Sequence, residues 1–284
     1  MVTLSIVREP PADWRDQLFA GTLLVVTDVA ALAPFRAHAD GLLAAAFAPV
    51  EPPEAQRALG DAAFGERIAP LRDGFRRDPR VRELFGRVVA GFGLDAATTY
   101  WDPPRLRVLP AGADPQDHDD IALEAHRDTW SSNVYAQVNW WIPLHAVTAE
   151  RAIAFYPRHW SAPVANTSGA WDIEVLRAER ASAGATTMPL VPTPSAPLDP
   201  ADAVVVVVQP GDLLLFSGAH LHATVANTSG TPRYSVEVRT VTLDDVHSGR
   251  GAPNIDGAAP HVPWEWFRRI SDRTPLRDTL AGNR

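Results

Sequence analysis

The side chains best able to do chemistry sit near the middle of the chain, in His126-Arg127-Asp128-Thr129-Trp130. An imidazole and a carboxylate two positions apart project to the same side of an extended segment and can reach one point in space. Two such groups suit one metal ion. A further His, far along the chain, completes a two-histidine, one-carboxylate set that leaves coordination positions open. The candidates are His220 and His222, in Ser217-Gly218-Ala219-His220-Leu221-His222. They also share a face if extended, so spacing alone does not choose between them. An isolated His-x-Asp triplet is more often a surface loop than a ligand pair, so the surrounding elements have to support it.

Those elements change character along the chain. Residues 1–98 read mainly helical. Leu18-Phe19 and Leu23-Leu24-Val25-Val26 suggest a short early strand, and residues 30–47 are Ala/Leu-rich and helical, with Pro34 tolerable in a first turn. Over residues 70–92, Leu71, Phe75, Val81, Leu84, Phe85, Val88 and Val89 recur at helical spacing, broken at Asp78-Pro79.

From residue 99 the period shortens. Thr99-Tyr100-Trp101 and Leu106-Arg107-Val108-Leu109 are short β-type runs separated by Pro103-Pro104. Asp114, Asp117, His118, Asp119 and Asp120 make residues 111–120 a solvated polar loop, with a lid as the minority reading. Over residues 134–142 a strand would place Tyr135, Gln137, Asn139 and Trp141 on one face. Ala136, Val138, Trp140 and Ile142 would form the other, apolar face. The first, mixed face suits a pocket wall.

Residues 161–200 interrupt the strands with a Ser/Ala/Pro-rich insert holding one helix over 170–183, the kind of excursion that commonly caps a site. Strands return over 203–208, 212–216, 222–225 and 234–241. The expected organisation is one domain over residues 1–284. It has a helical flank (1–98), a β core (99–160 and 201–243), an insert or lid (161–200) and a C-terminal cover (244–284). The fold class is mainly β with flanking helices, the core closed or double-layered.

Composition removes several classes. A formal net charge of −8 without a basic stripe argues against nucleic acid. No apolar run approaches the roughly 18 residues of a membrane span, and the first residues lack a signal-peptide pattern, so a cytoplasmic location is expected. With Cys 0 there is no disulfide, thiolate site or cysteine nucleophile. All 26 basic residues are Arg, which excludes lysine Schiff-base chemistry. A Ser-His-Asp hydrolase would want a Gly-x-Ser-x-Gly elbow, which Ser217-Gly218 does not supply. A Zn(II) hydrolase with two His and one Asp, or a non-catalytic jelly-roll protein, remains as an alternative. The expected partner is a small molecule, with a homo-oligomer left open.

The turn Gly211-Asp212, the strand to Phe216, His222, Asn227 and Arg233 resemble the distal half of phytanoyl-CoA dioxygenase-like Fe(II)/2-oxoglutarate oxygenases. In that family the second metal His lies eleven positions after the Gly of the turn (211 + 11 = 222), and the Arg that grips 2-oxoglutarate lies eleven after that His (222 + 11 = 233). Both offsets select His222 and leave His220 a structural or supporting role. Arg233-Tyr234-Ser235 further resembles the Arg-x-Ser pair that holds the far carboxylate in related oxygenases. The family's Glu-Asn-Gly turn is replaced by Glu150-Arg151-Ala152, and Pro157-Arg158-His159 stands where a Pro-Gly-Ser-His motif is frequent. Those positions shape the substrate side, so the family's substrates do not transfer, and nothing argues for an acyl-CoA.

The resemblance implies a double-stranded β-helix core (jelly roll, cupin-like). It implies Fe(II) on His126, Asp128 and His222, with 2-oxoglutarate and O2 as cosubstrates and Arg233 and Ser235 on the far carboxylate. Asn139 and Trp141 are candidates for the cofactor wall; Arg107, Tyr135 and Gln137 are candidates for substrate contacts. Halogenases of this class lack the metal carboxylate. With Asp128 present, the expected reaction is hydroxylation, desaturation or cyclisation at a C–H bond of a small molecule of specialised metabolism.

Overall fold

The computed structural model describes residues 2–115, 123–182 and 187–282. In chain order its elements begin with β1 (Thr3–Val7), α1 (Trp14–Phe19), β2 (Thr22–Val26), α2 (Leu32–Phe47), α3 (Ala55–Leu59), α4 (Asp61–Arg77) and α5 (Pro79–Gly91). There follow β3 (Thr99–Leu109), α6 (Thr129–Ser132), β4 (Val138–Pro143), β5 (Ile153–Phe155), α7 (Ile173–Ala181) and β6 (Val204–Val206). The chain closes with β7 (Leu213–Ser217), β8 (His222–Thr224), β9 (Arg233–Thr242), α8 (Leu243–Ser248), β10 (Arg268–Arg269) and α9 (Leu276–Gly282).

A major sheet of order β1-β2-β7-β4-β9-β3-β10 faces a minor sheet of order β6-β5-β8. Antiparallel pairing dominates, with β1 and β2 the parallel exception. The architecture is a jelly-roll sandwich with helices flanking one side, as expected.

Period-two alternation sorts the major sheet's side chains into two layers. Leu213 and Leu215 of β7, Trp140 and Ile142 of β4, and Val236 and Val238 of β9 join the helices in one apolar core. Their alternates Leu214, Phe216 and Trp141 turn the other way, against Ile153 and Phe155 of the minor sheet. β9 differs from its neighbours on this inner side, where it presents Arg233, Ser235, Glu237 and Arg239 in place of apolar groups. The inter-sheet space is therefore apolar at one end and charged at the other.

Several expectations change. Within the first hundred residues, mainly helical by sequence, β1 and β2 extend the major sheet. Residues Leu23–Val26 show no polar alternation because both faces of β2 are covered, Leu24 and Val26 by helices and Leu23 and Val25 by the inter-sheet core. Leu18 and Phe19 end a helix instead of starting a strand. The two runs around Pro103-Pro104 are one strand, with the register shifting between Asp102 and Arg105. A bulge there accommodates two prolines that cannot donate to a ladder. Helix α4 starts before Pro70 and contains it, burying Phe64 and Ile68 along with Leu71 and Phe75. The polar-loop expectation at Asp117, His118, Asp119 and Asp120 falls outside the described residues. At the other end of the sheet, β10 of the C-terminal segment pairs with β3.

The Asp78-Pro79 break is where expected. Asp78 is the N-cap of α5 and accepts from the Arg80 amide, with Pro79 in the first turn, and it also meets His38 Nε2 at 2.8 Å. Asp78→Ala should cost about 1 kcal/mol, from a lost cap. Urea denaturation should show a lower midpoint with an unchanged slope.

Candidate metal centre

His126 lies in a β-bridge with His222, each donating its amide to the other's carbonyl (2.9 and 3.0 Å). This pairing brings the triplet to the edge of β8 and explains how residues so far apart in sequence meet. Asp128 is not on an extended segment, so the two-residue spacing does not set its direction. Its backbone is already helical (φ −59°, ψ −33°) and it opens the one-turn helix α6. Its carboxyl faces inward because donors capture it. Gln137 Nε2 (3.0 Å) and Asn139 Nδ2 donate to Oδ2, and Arg239 Nη2 donates to Oδ1 (3.1 Å).

One ligand atom from each of His126, Asp128 and His222 lies within 4.8 Å of the others. His126 Nε2 is 3.7 Å from Asp128 Oδ1, and the two imidazole centroids are 4.4 Å apart. His126 and Asp128 are buried, and His222 is partly buried on the cavity wall. Both Nδ1 atoms face backbone carbonyls, of Glu124 (2.7 Å) and of His220 (2.9 Å). A carbonyl accepts only, so each Nδ1 carries the proton and each Nε2 lone pair is left for a cation.

The electrostatics agree with a cation site. Burial would push the Asp128 carboxyl up, but the Arg239 guanidinium and the adjacent imidazoles outweigh it and hold the group well below the usual carboxylate range. Burial pushes the His222 imidazole down to about 4, with nearby His126 adding to the effect. An ionised carboxylate beside neutral imidazole is the protonation state a divalent metal requires.

His220 is the competitor, and its surroundings are those of a packed side chain. It is buried, tilted against Trp160 (4.3 Å between centroids), and its ring nitrogens face the carbonyls of Ser217 and Gly21. It is not in the three-residue cluster.

The cavity above the triad is also lined by Asn139, Trp141, Phe216, Arg233 and Glu237. Arg233 is buried, donates through Nη1 to the carbonyls of Arg151 (3.0 Å) and Ala152 (2.9 Å), and lies 5.7 Å from the Trp141 ring. Burial pushes its guanidinium down to about 10, still protonated at neutral pH. Among the described residues, three buried donor atoms here find no partner: Arg233 Nε, Ser235 Oγ and Trp141 Nε1. Unpaired buried donors are costly, and three from adjoining residues mark a place built for an acceptor.

Of the remaining sequence candidates, Gln137 sits behind Asp128 as part of its clamp, and Arg107 pairs with Glu237 (2.8 Å) beside a neighbouring cavity. Tyr135 lies away from the triad, against Gly257 and near Asp256, where burial raises its phenol to about 12.

Sequence inspection missed Glu237 and Arg239, although the alternation of Arg233, Ser235, Glu237 and Arg239 was a usable signal. It also missed the anchor of the triplet itself. Arg127 is buried, pairs with Asp256 (3.2 Å), and donates to the carbonyls of Ala219 and His159, while Trp130 Nε1 donates to Asp256 Oδ1 (2.6 Å). Gly218 permits the same approach from the β7–β8 turn, since a Cβ there would come within 2.9 Å of Gln137 Nε2 and 3.4 Å of Asp128 Cβ.

No family model and no curated protein matches the chain. Solved structures similar to it include the epimerase SnoN in complex with Fe3+, alpha ketoglutarate and nogalamycin RO, at 16% identity over 90% of this chain and 98% of that one, TM-score 0.42. AviO1 from Streptomyces viridochromogenes Tue57 is similar at 18% identity over 85% and 92%, TM-score 0.39. EvdO2 from Micromonospora carbonacea var. aurantiaca, complexed with 2-oxoglutarate, is similar at 12% over 75% and 69%, TM-score 0.40.

Asp256→Ala should isolate the buried Arg127 charge and cost about 3 to 5 kcal/mol. Chemical denaturation of the metal-free protein measures it. Replacing both partners with apolar residues (Arg127→Met with Asp256→Leu) should be less harmful than the single change.

Proposed function

We propose that this protein is a non-haem Fe(II)/2-oxoglutarate-dependent oxygenase of the phytanoyl-CoA dioxygenase-like type. In this reading it oxidises a C–H bond of a small molecule of specialised metabolism. The observation that carries this reading is the convergence, in one inter-sheet cavity, of a His-Asp-His cluster with a buried arginine flanked by unpartnered donors.

The residues fit the groups assigned to them. His126 and His222 offer Nε2 lone pairs because their Nδ1 protons are held by carbonyls. Asp128 offers Oδ1, its Oδ2 being occupied by Gln137 and Asn139. Arg233, Ser235 and Trp141 supply the donors that the far carboxylate of 2-oxoglutarate needs, the guanidinium giving the charge-assisted contacts. Bound there, Fe(II) and 2-oxoglutarate would supply oxidative decarboxylation with O2, giving succinate, CO2 and the oxidising power for a C–H bond. The chain itself orients the ligands, keeps Asp128 ionised through Arg239, and excludes water with Phe155 and Phe216, which lie 6.0 and 5.0 Å from the His222 ring. Asp128 fills the position that a halide would otherwise take, which supports hydroxylation, desaturation or cyclisation.

Fe(II) and 2-oxoglutarate added anaerobically should give a weak visible charge-transfer band. A well-folded, iron-loaded protein without the band would overturn this assignment. His126→Ala and His222→Ala should each abolish it, whereas His220→Ala, if folded, should retain it. Arg233→Ala should raise the 2-oxoglutarate concentration required by about tenfold or more, the loss expected for a buried charge-assisted pair.

A further inference from the structure

A second cavity opens beside the candidate metal centre, and Arg239 and Leu123 line both. Arg105 and Arg107 enter its lining from β3, two residues apart on one face. Arg177 and Arg180 enter it from α7 in the insert, three residues apart on one side of the helix. Positive charge thus reaches the cavity from two elements remote in sequence.

The carboxylates that pair with Arg105, Arg107, Arg177 and Arg239 stand outside the lining. Asp102 holds Arg105 (2.8 Å) and lies 3.8 Å from Arg239, Glu237 holds Arg107, and Glu174 and Glu265 hold Arg177 (2.6 and 3.1 Å). Among the described residues no Asp or Glu lines the cavity, and its one hydroxyl is that of Ser131. A guanidinium carries five N–H donors. Arg107 meets Glu237 through Nε, and Arg177 meets both of its carboxylates through Nη1, so each has more donors than its partner uses.

The rest of the wall is apolar and partly aromatic: Trp171, Ile173, Leu176, Val191 and Trp266. Trp171 and Leu176 are buried, and the Trp171 indole is fixed by donation to the Pro189 carbonyl (2.8 Å). A rigid indole surface beside arginines matches a molecule with one flat apolar part and one acidic part.

We propose that this cavity binds the substrate, and that the substrate is an organic anion with an apolar ring body. Its acidic group is drawn to Arg105, Arg107 and Arg177, and its body lies against the tryptophans. The word substrate rests on the oxygenase reading; the preference for an anion does not.

Calorimetric titration of the full-length protein tests this with three probes of one shape: 2-naphthoate, 2-naphthylmethanol and 2-naphthylmethylammonium. It is run without added metal and again anaerobically with Fe(II) and 2-oxoglutarate. The naphthoate should bind about tenfold or more tighter than the alcohol, the ammonium more weakly than either, and added salt should narrow the gap. Arg105→Gln with Arg177→Gln, whose native side chains are 48% and 42% exposed, should bring the naphthoate close to the alcohol without moving the alcohol. Arg177→Gln alone is the fallback if the double variant does not fold, with a loss of about threefold. In the titration without added metal or 2-oxoglutarate, Arg233→Ala should leave naphthoate binding unchanged. The proposal is overturned if the alcohol binds as tightly as the naphthoate, if the naphthoate binds in neither state, or if Arg233→Ala removes it. Naphthoate binding without a charge-transfer band in the iron-loaded protein would sink the oxygenase reading alone and leave the anion site standing.

Discussion

A carboxylate buried between two imidazoles stays ionised only if donors surround it. In this chain that condition is met by Arg239, Gln137 and Asn139 around Asp128, and much of the architecture follows from it. Arg239 comes from β9 and Asn139 from the adjacent β4, so the two central strands must keep their register for the clamp to close. Arg239 is itself mostly buried and needs a counter-charge, which Asp102 provides from β3. A second row runs beside the first, from Arg233 past Glu237 to Arg107. The strand-borne members of both rows lie on the inner side of the major sheet, and each sign is answered by the next.

Rigidity comes from the opposite face. Trp140 of β4 packs edge-on against Trp14, Phe85 and Phe92, with centroids 5.0 to 5.9 Å apart, and its indole donates to Thr240 of β9. Tyr234 stands between Arg233 and Ser235 but points the other way, its ring tilted against Phe47 and its hydroxyl donating to the Pro52 carbonyl. The helical layer thus holds the same strands whose other faces form the site. The triplet carrying His126 and Asp128 is secured separately, by the buried Arg127 guanidinium reaching Asp256 and two loop carbonyls. The insert joins that arrangement as well, since Asn166 donates to the Asp256 carbonyl.

What was legible in the sequence follows from how local each signal is. His126 and Asp128 drew notice as an imidazole and a carboxylate two positions apart, and His222 through the resemblance, whose offsets run from Gly211 and on to Arg233. The sandwich could be inferred from short strands with turns between them. Strand β2 was legible as the short apolar run Leu23–Val26, but its place inside the sheet was not, since burial on both faces removes the alternation that marks a half-exposed strand. The single strand β3 was hidden by two prolines that a bulge absorbs. Glu237 and Arg239 were present in the alternation of β9, but their meaning depends on Asp128 and Asp102, which no local period connects to them. The Arg127–Asp256 pair joins residues 129 apart and had no sequence signature at all.

Strand β9 carries one last implication, for how such a chain can change over generations. Its outward residues Tyr234, Val236 and Val238 belong to the apolar core, while Arg233, Ser235, Glu237 and Arg239 serve the site. Losing or gaining a single residue within it would exchange the two sets, burying guanidinium groups among the helices and aiming aliphatic chains at the cavity. Length variation is thus closed to this strand and open to the insert that carries α7. Selection can therefore remodel what enters the second cavity while the ligand-bearing frame stays constant.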